Sequence, residues 1–170
     1  MEIRRERPAD YEMIYQVIKE AFASADRSDG NEQDLVVALR KGESYIPELS
    51  LVATIDKQIV GHIMFTKALV NNTPVLALAP LSVLPAFQHK GVGTALIKEG
   101  HRFAKALGYG YSVVLGSETY YPRFGYKPAD SFGIFAPFDV PRENFMAFQL
   151  DASAKKLNGT MEYAKKFGIA

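Results

Sequence analysis

Apolar residues fall at Ile14, Val17, Ile18, Ala21 and Phe22, the i, i+3, i+4, i+7, i+8 spacing of one helical stripe. Pro8-Ala9-Asp10 just ahead of them predicts the start, because proline fits a first turn and a carboxylate can accept from free N–H groups. A short extended piece over residues 2–5 comes before it, and the polar stretch 24–33 breaks the stripe. Leu35, Val36 and Leu39 then predict a second short helix closed by Gly42. From Leu49 the period changes. LSLVATID and IVGHIMFTKALV, joined by the polar residues 56–58, predict an antiparallel hairpin, and Asn71-Asn72-Thr73-Pro74 predicts the next turn.

The third apolar run, residues 75–84, contains Pro80. Proline cannot donate to a ladder, so a bulge, an edge or a splayed pairing is expected there. Val92, Leu96, Phe103 and Leu107 mark an amphipathic helix closed by Gly108. A strand at 111–115 follows, then a short polar and aromatic segment at 117–126. Residues 127–144 carry Pro128, Pro137 and Pro141 with Phe132, Phe135 and Phe138, the composition of an irregular loop with anchors. A strand over 145–150 and an edge strand within GTMEYAKKF complete the chain. The order βααβββαβ, a short helix, then β predicts an α/β domain with a mixed sheet, and no linker divides residues 1–170.

Composition narrows the function. The 170 residues carry 20 Lys plus Arg against 19 Asp plus Glu, a formal charge of +1, so no excess field draws nucleic acid or anionic membrane. With no cysteine there is no thiolate nucleophile and no Cys-ligated metal. His62, His89 and His101 are scattered, and no metal site is expected. The charged start without an apolar h-region is read as that of a cytoplasmic protein.

Gln88-His89-Lys90-Gly91-Val92-Gly93-Thr94 stands between a strand and a helix start. Two glycines let the backbone turn sharply and bring its N–H groups to a bulky anion, and a helix N-terminus adds unpaired donors and its dipole. A diphosphate suits such a cradle, although the same glycines also fit a bare tight turn. The Rossmann fingerprint would need a glycine at Leu96, and a P-loop would place its lysine after the glycines, whereas Lys90 comes before them.

LSVLPAFQHKGVGTALI resembles the acetyl-CoA signature of the GNAT N-acetyltransferase superfamily: an apolar strand ending Val-x-Pro, then Gln or Arg, two residues, Gly, any residue, Gly or Ala. The opening IRRERPADYEMI, the hairpin SLVATIDKQIVGHIMF, VVLGSETYYPRFGYKPA and APFDVP look like a bacterial subgroup of predicted N-acetyltransferases. The resemblance implies a GNAT fold, a mixed, mostly antiparallel sheet whose splayed fourth and fifth strands admit the pantetheine arm. It implies acetyl-CoA as cosubstrate, bound by the backbone of Leu81, Ser82 and Val83 and by the turn Gln88, His89, Lys90, Gly91, Val92, Gly93 and Thr94. Tyr121 matches the family tyrosine that protonates the departing thiolate, and Tyr120 is read as its structural neighbour.

The implied activity is acetyl transfer from acetyl-CoA to a primary amine in a ternary complex. A CoA-binding sensor and an acyltransferase with another acyl donor are the alternatives. Small-molecule or peptide amines are the expected partners, and a homodimer is implied by resemblance. Arg123 is read as a phosphate contact or a salt-bridge partner, and Glu118, where the subgroup often has proline, as a base or a solvated loop residue. His62 is read as a satisfied sheet histidine and His101 as solvated. The phenylalanines of 127–148 are read as core packing under the loop, with an acyl or acceptor pocket as the other reading.

Overall fold

The computed structural model describes residues 1–23 and 28–168. Strand β1 (Glu2–Arg5) leads into helices α1 (Tyr11–Phe22) and α2 (Glu32–Arg40). Then come β2 (Tyr45–Ile55), β3 (Gln58–Val70), β4 (Thr73–Val83), α3 (Val92–Ala106) and β5 (Tyr111–Leu115). The two-residue strands β6 (Lys127–Pro128) and β7 (Ile134–Phe135) precede β8 (Phe145–Gln149) and β9 (Gly159–Glu162). The order agrees with the sequence reading, with a 3₁₀ turn at Tyr121–Phe124 as the short helix. Of the stretch predicted to break the first helix, residues 24–27 lie outside the described residues.

The main sheet runs β1-β2-β3-β4-β5-β8-β6 and is antiparallel except where β4 meets β5. Both hairpins close through two-residue loops in the left-handed region: Asp56 and Lys57 at φ 50 and 66, Asn71 and Asn72 at φ 47 and 64. That backbone matches the twist of the paired strands. The expected irregularity at Pro80 is a bulge. Ile63 pairs with Leu81 and Phe65 with Leu78, so Ala79 and Pro80 together stand opposite Met64.

The alternation of β2 and β3 sorts the two faces. Leu51, Ala53, Ile63 and Phe65 point to α3, which buries Val92, Leu96, Ile97 and Ala104 against them. Val52 and Met64 point the other way, under Ile14, Val17 and Ile18 of α1 and Val36 and Leu39 of α2. A further cluster of Tyr111, Val113, Phe145, Ala147 and Met161 receives Phe132 and Phe138 from the long loop. Phe132, Phe138, Phe145 and Phe148 are core packing, whereas Phe135 is exposed and its placement is corrected: in the two-residue strand β7 Ile134 turns inward and its neighbour therefore faces out. None of the five lines the cleft described below.

Two polar networks lie within these layers. Glu6, just past β1, has a fully buried carboxylate that accepts from Arg40 Nε and Nη2 at 2.7 and 3.0 Å and from the Tyr45 hydroxyl at 2.7 Å. His62 Nε2 lies 2.9 Å from the same carboxylate and 3.1 Å from Ser50 Oγ. Burial works to raise the Glu6 carboxyl, and the hydrogen bonds from His62 and Arg40 outweigh it and hold it well below the usual range. His62 is the satisfied sheet histidine of the sequence reading on its Nε2 side.

The solvated placement of His101 is corrected. Its ring stacks on Phe148 with centroids 4.2 Å apart, and Nε2 lies 2.9 Å from the Tyr126 hydroxyl, which in turn lies 2.8 Å from Ser112 Oγ. The apolar stripe of α3 is wide enough to take position 101 along its margin. Burial pushes the imidazole down to about 4, so between the unfolded value of about 6.5 and 4 the unfolded chain binds the proton and the folded chain does not. Stability therefore falls as pH drops through that window. The wild type is expected to lose more Tm between pH 6.5 and 4.5 than His101→Phe, read by thermal unfolding at both pH values; equal losses would remove His101 from the acid response.

Candidate functional site

β4 and β5 pair only at Leu76 with Ser112 and Ala77 with Val113. Beyond them the strands part, leaving a cleft of about 970 Å³ walled by Leu78 to Leu81 and Val83 on one side and by Val114 to Ser117 on the other. The β4–α3 turn, Tyr120, Tyr121, Arg123 and Phe124 also line it, as do Phe22 from the end of α1 and Glu32 and Leu35 from the start of α2.

Leu84 N–H donates to Val60 O at 2.9 Å. Strand alternation then turns the backbone groups of Ser82 toward β3 and those of Leu81 and Val83 toward the gap. Gln88 reaches back along that edge, donating from Nε2 to Val83 O at 3.1 Å. Thus the stretch Leu81-Ser82-Val83 divides: two residues present a strand edge to the cleft, and the Ser82 side chain is buried on the α1 and α2 face.

The turn that follows has His89 at φ 63 and Gly91 at φ 84. The glycine caps α3 in a left-handed conformation, free of the Cβ penalty. The first intrahelical bond of this end runs from Ala95 N to Gly91 O at 3.0 Å, so the N–H groups of Val92, Gly93 and Thr94 come before it and have no helical acceptor. Gly93 is buried, and a side chain there would run into the Tyr120 hydroxyl. Gln88, His89, Gly91, Val92, Gly93 and Thr94 line the cleft. Lys90 is exposed outside it, with Nζ 5.7 Å from the Phe87 ring.

The aromatic segment faces this turn. The Tyr121 ring packs against Gly116 and edge-on to Tyr120 and Tyr126, with centroids 5.1 and 5.6 Å away. Burial pushes its phenol up, and Tyr120 adds to the shift, so it holds its proton through neutral pH. Arg123, read as a phosphate contact or salt-bridge partner, donates from Nε to Thr119 O at 3.1 Å and lies 5.4 Å over the Tyr120 ring. Glu118 accepts from Asn144 Nδ2 at 2.6 Å, which ties the loop after β5 to the start of β8.

A strand edge turned toward an open gap and running into a helix N-terminus fits a ligand with an amide-bearing arm and a phosphate end. The family model for the acetyltransferase (GNAT) family matches residues 11–126. The chain belongs to the GNAT acetyltransferase family. It is 40% identical over 141 residues to YjhQ of Escherichia coli K12, an uncharacterized N-acetyltransferase, with 78% of each chain covered. A GNAT family acetyltransferase from Brucella melitensis, solved in complex with acetyl-CoA, superposes with TM-score 0.82 at 34% identity, covering 98% of this chain and 97% of that one. YhbS of Escherichia coli, solved in complex with CoA, gives TM-score 0.89 at 28% identity, covering 98% and 91%. The GNAT fold and the acyltransferase class follow from these matches, and the described residues build that fold as nine mostly antiparallel strands. No helix among the described residues is long and apolar enough to cross a membrane.

The sequence does not mark Glu32 and Leu35 as lining the GNAT cleft; Leu35 reads there only as part of the second helix. Glu32 lies in the stretch read as a polar break, and only the acidic first turn of α2 could have pointed to it.

Proposed function

We propose that this GNAT protein moves an acetyl group from acetyl-CoA to the nitrogen of a primary amine, with both substrates in the cleft at once. The observation that carries the reading is the edge of Leu81 and Val83 turned toward the gap, of which Gln88 takes the Val83 carbonyl, leading into the N–H groups of Val92 to Thr94 that have no helical acceptor. The Brucella melitensis and YhbS complexes with acetyl-CoA and CoA support it.

Acetyl-CoA supplies a thioester: a C–N bond forms to the amine, the C–S bond breaks, and the thiolate must take up a proton. In this reading the β4 edge holds the pantetheine amides, and a β4 N–H polarises the thioester carbonyl, a kind of contact worth about 2.7 to 4 kcal/mol for one donor. The first turn of α3 takes the pyrophosphate. Tyr121 gives its proton to the sulfur and recovers one from water, which also accepts the proton lost by the amine.

Thermal unfolding with acetyl-CoA, ATP or NAD tests the binding half. A ligand at 100 times its Kd adds about 2.7 kcal/mol, roughly 5 to 11 °C for a chain of this size. The shift is expected with acetyl-CoA alone and is expected to vanish in Gly93→Glu, whose carboxylate would enter the anion site. Equal shifts with all three ligands, or none, would sink the reading. Turnover is then followed by thiol release, which a chain without cysteine permits without background.

A further inference from the structure

In the acetyl-transfer reading β4 and the α3 turn hold the cosubstrate, which leaves to the acceptor the α1 and α2 side of the cleft. Phe22 at the end of α1 and Glu32 and Leu35 at the start of α2 wall it. Glu32 is the one carboxylate among the described residues that line the cleft. The Ser28 hydroxyl lies 2.7 and 2.9 Å from its two oxygens, and no ion pair among the described residues involves it. A hydroxyl orients a carboxylate and leaves its charge in place.

The position of that charge decides what it can pair with. The reacting nitrogen must come to the gap beside the β4 bulge at Ala79 and Pro80. α1 packs over β4, and α2 lies against α1, so Glu32, in the first turn of α2, reaches the cleft from the outer of the two helices and not from the strand that carries the bulge. A carboxylate there pairs with a second charge on the acceptor, away from the nitrogen that is acetylated. Phe22 and Leu35 line the same cleft and offer apolar surface suited to a hydrocarbon spacer. The cleft is thus lined by groups of both signs, the free N–H groups of the α3 turn and Arg123 on one hand and Glu32 of α2 on the other.

Resting on the acetyl-transfer reading above, we infer that Glu32 selects acceptors with a second, distal positive charge: α,ω-diamines whose spacer lies on Phe22 and Leu35. A first-turn acid also favours a helix through its dipole, so the test must read something that helix stability does not move. That quantity is the ratio of affinities for hexane-1,6-diamine and hexylamine, measured by titration calorimetry on the CoA-loaded protein.

The wild type is expected to prefer the diamine about tenfold, as for a hydrogen bond to a charged group. Glu32→Gln should bring the ratio near one, and Glu32→Asp should keep most of it. A wild-type ratio near one, or the same ratio in Glu32→Gln, would overturn the inference. Should Glu32→Gln fail to fold, salt decides on the wild type: raising it to 0.5 M should weaken diamine binding more than hexylamine binding, and equal weakening counts against Glu32. Failure of CoA itself to bind would overturn the acetyl-transfer reading, while the same titrations on the unloaded protein would still decide the role of Glu32.

Discussion

Tyr121→Phe is expected to lower kcat about 100-fold or more, the usual worth of a positioned acid, with the thermal shift from acetyl-CoA retained. The substitution keeps the ring contacts to Gly116, Tyr120 and Tyr126 and removes only a hydroxyl. That hydroxyl has no hydrogen-bond partner among the described residues. Other tyrosines here use theirs structurally: Tyr45 bonds Glu6, Tyr126 bonds Ser112 and His101, and Tyr111 bonds Lys155 O. A phenol kept protonated by burial, unbonded and lining the cleft, has its proton free for the substrate. An unchanged kcat in Tyr121→Phe would remove it as the acid, whereas binding of acetyl-CoA by the wild type without turnover of any amine would favour the sensor alternative, in which the cradle is needed but no proton donor is.

Glu6→Ala should cost about 3–5 kcal/mol of stability, the penalty for breaking a buried ion pair from one side, or roughly 6–20 °C in Tm. Alanine leaves Arg40, whose side chain is 9% exposed, with the face of Tyr11 at 3.9 Å as its remaining described contact in this network. His62 would keep Ser50 alone on Nε2. The same network sets an acid limit. The folded Glu6 carboxyl is held below its unfolded value, so its stabilisation is present above about pH 4.5 and is lost as pH falls toward the folded value. Urea unfolding at pH 7 measures the first effect, and a loss under 1 kcal/mol would show that Arg40 finds another partner.

What could be read in the chain follows the range of the interaction. The stripe of α1 was legible because Ile14, Val17 and Ile18 repeat within two turns, and all three are fully buried. Pro80 announced an irregular β4 because the missing N–H is local chemistry. The cradle was legible for the same reason, since glycine spacing and helix start lie within seven residues. Glu6 with Arg40 and His62 was not legible: the partners stand 34 and 56 positions apart, and no local pattern links them. The stretch Leu81-Ser82-Val83 was read as one unit, whereas strand alternation gives Ser82 to the other face. His101 lies at the margin of the α3 stripe, and only the arrival of Phe148 from β8 and of Tyr126 from the segment before β6 covers it.

The parting of β4 and β5 gives this sheet two unsatisfied edges in its interior rather than at its rim. Exposed edges invite pairing with another chain, and proteins usually blunt them with charge or proline. Here Pro80 interrupts the β4 edge and Gly116 ends the β5 edge, while Leu81, Val83 and the half-exposed Leu115 leave the seam apolar. A ligand bound in the gap would thereby also guard against self-association, and the chain should be most prone to aggregate when it is kept without one.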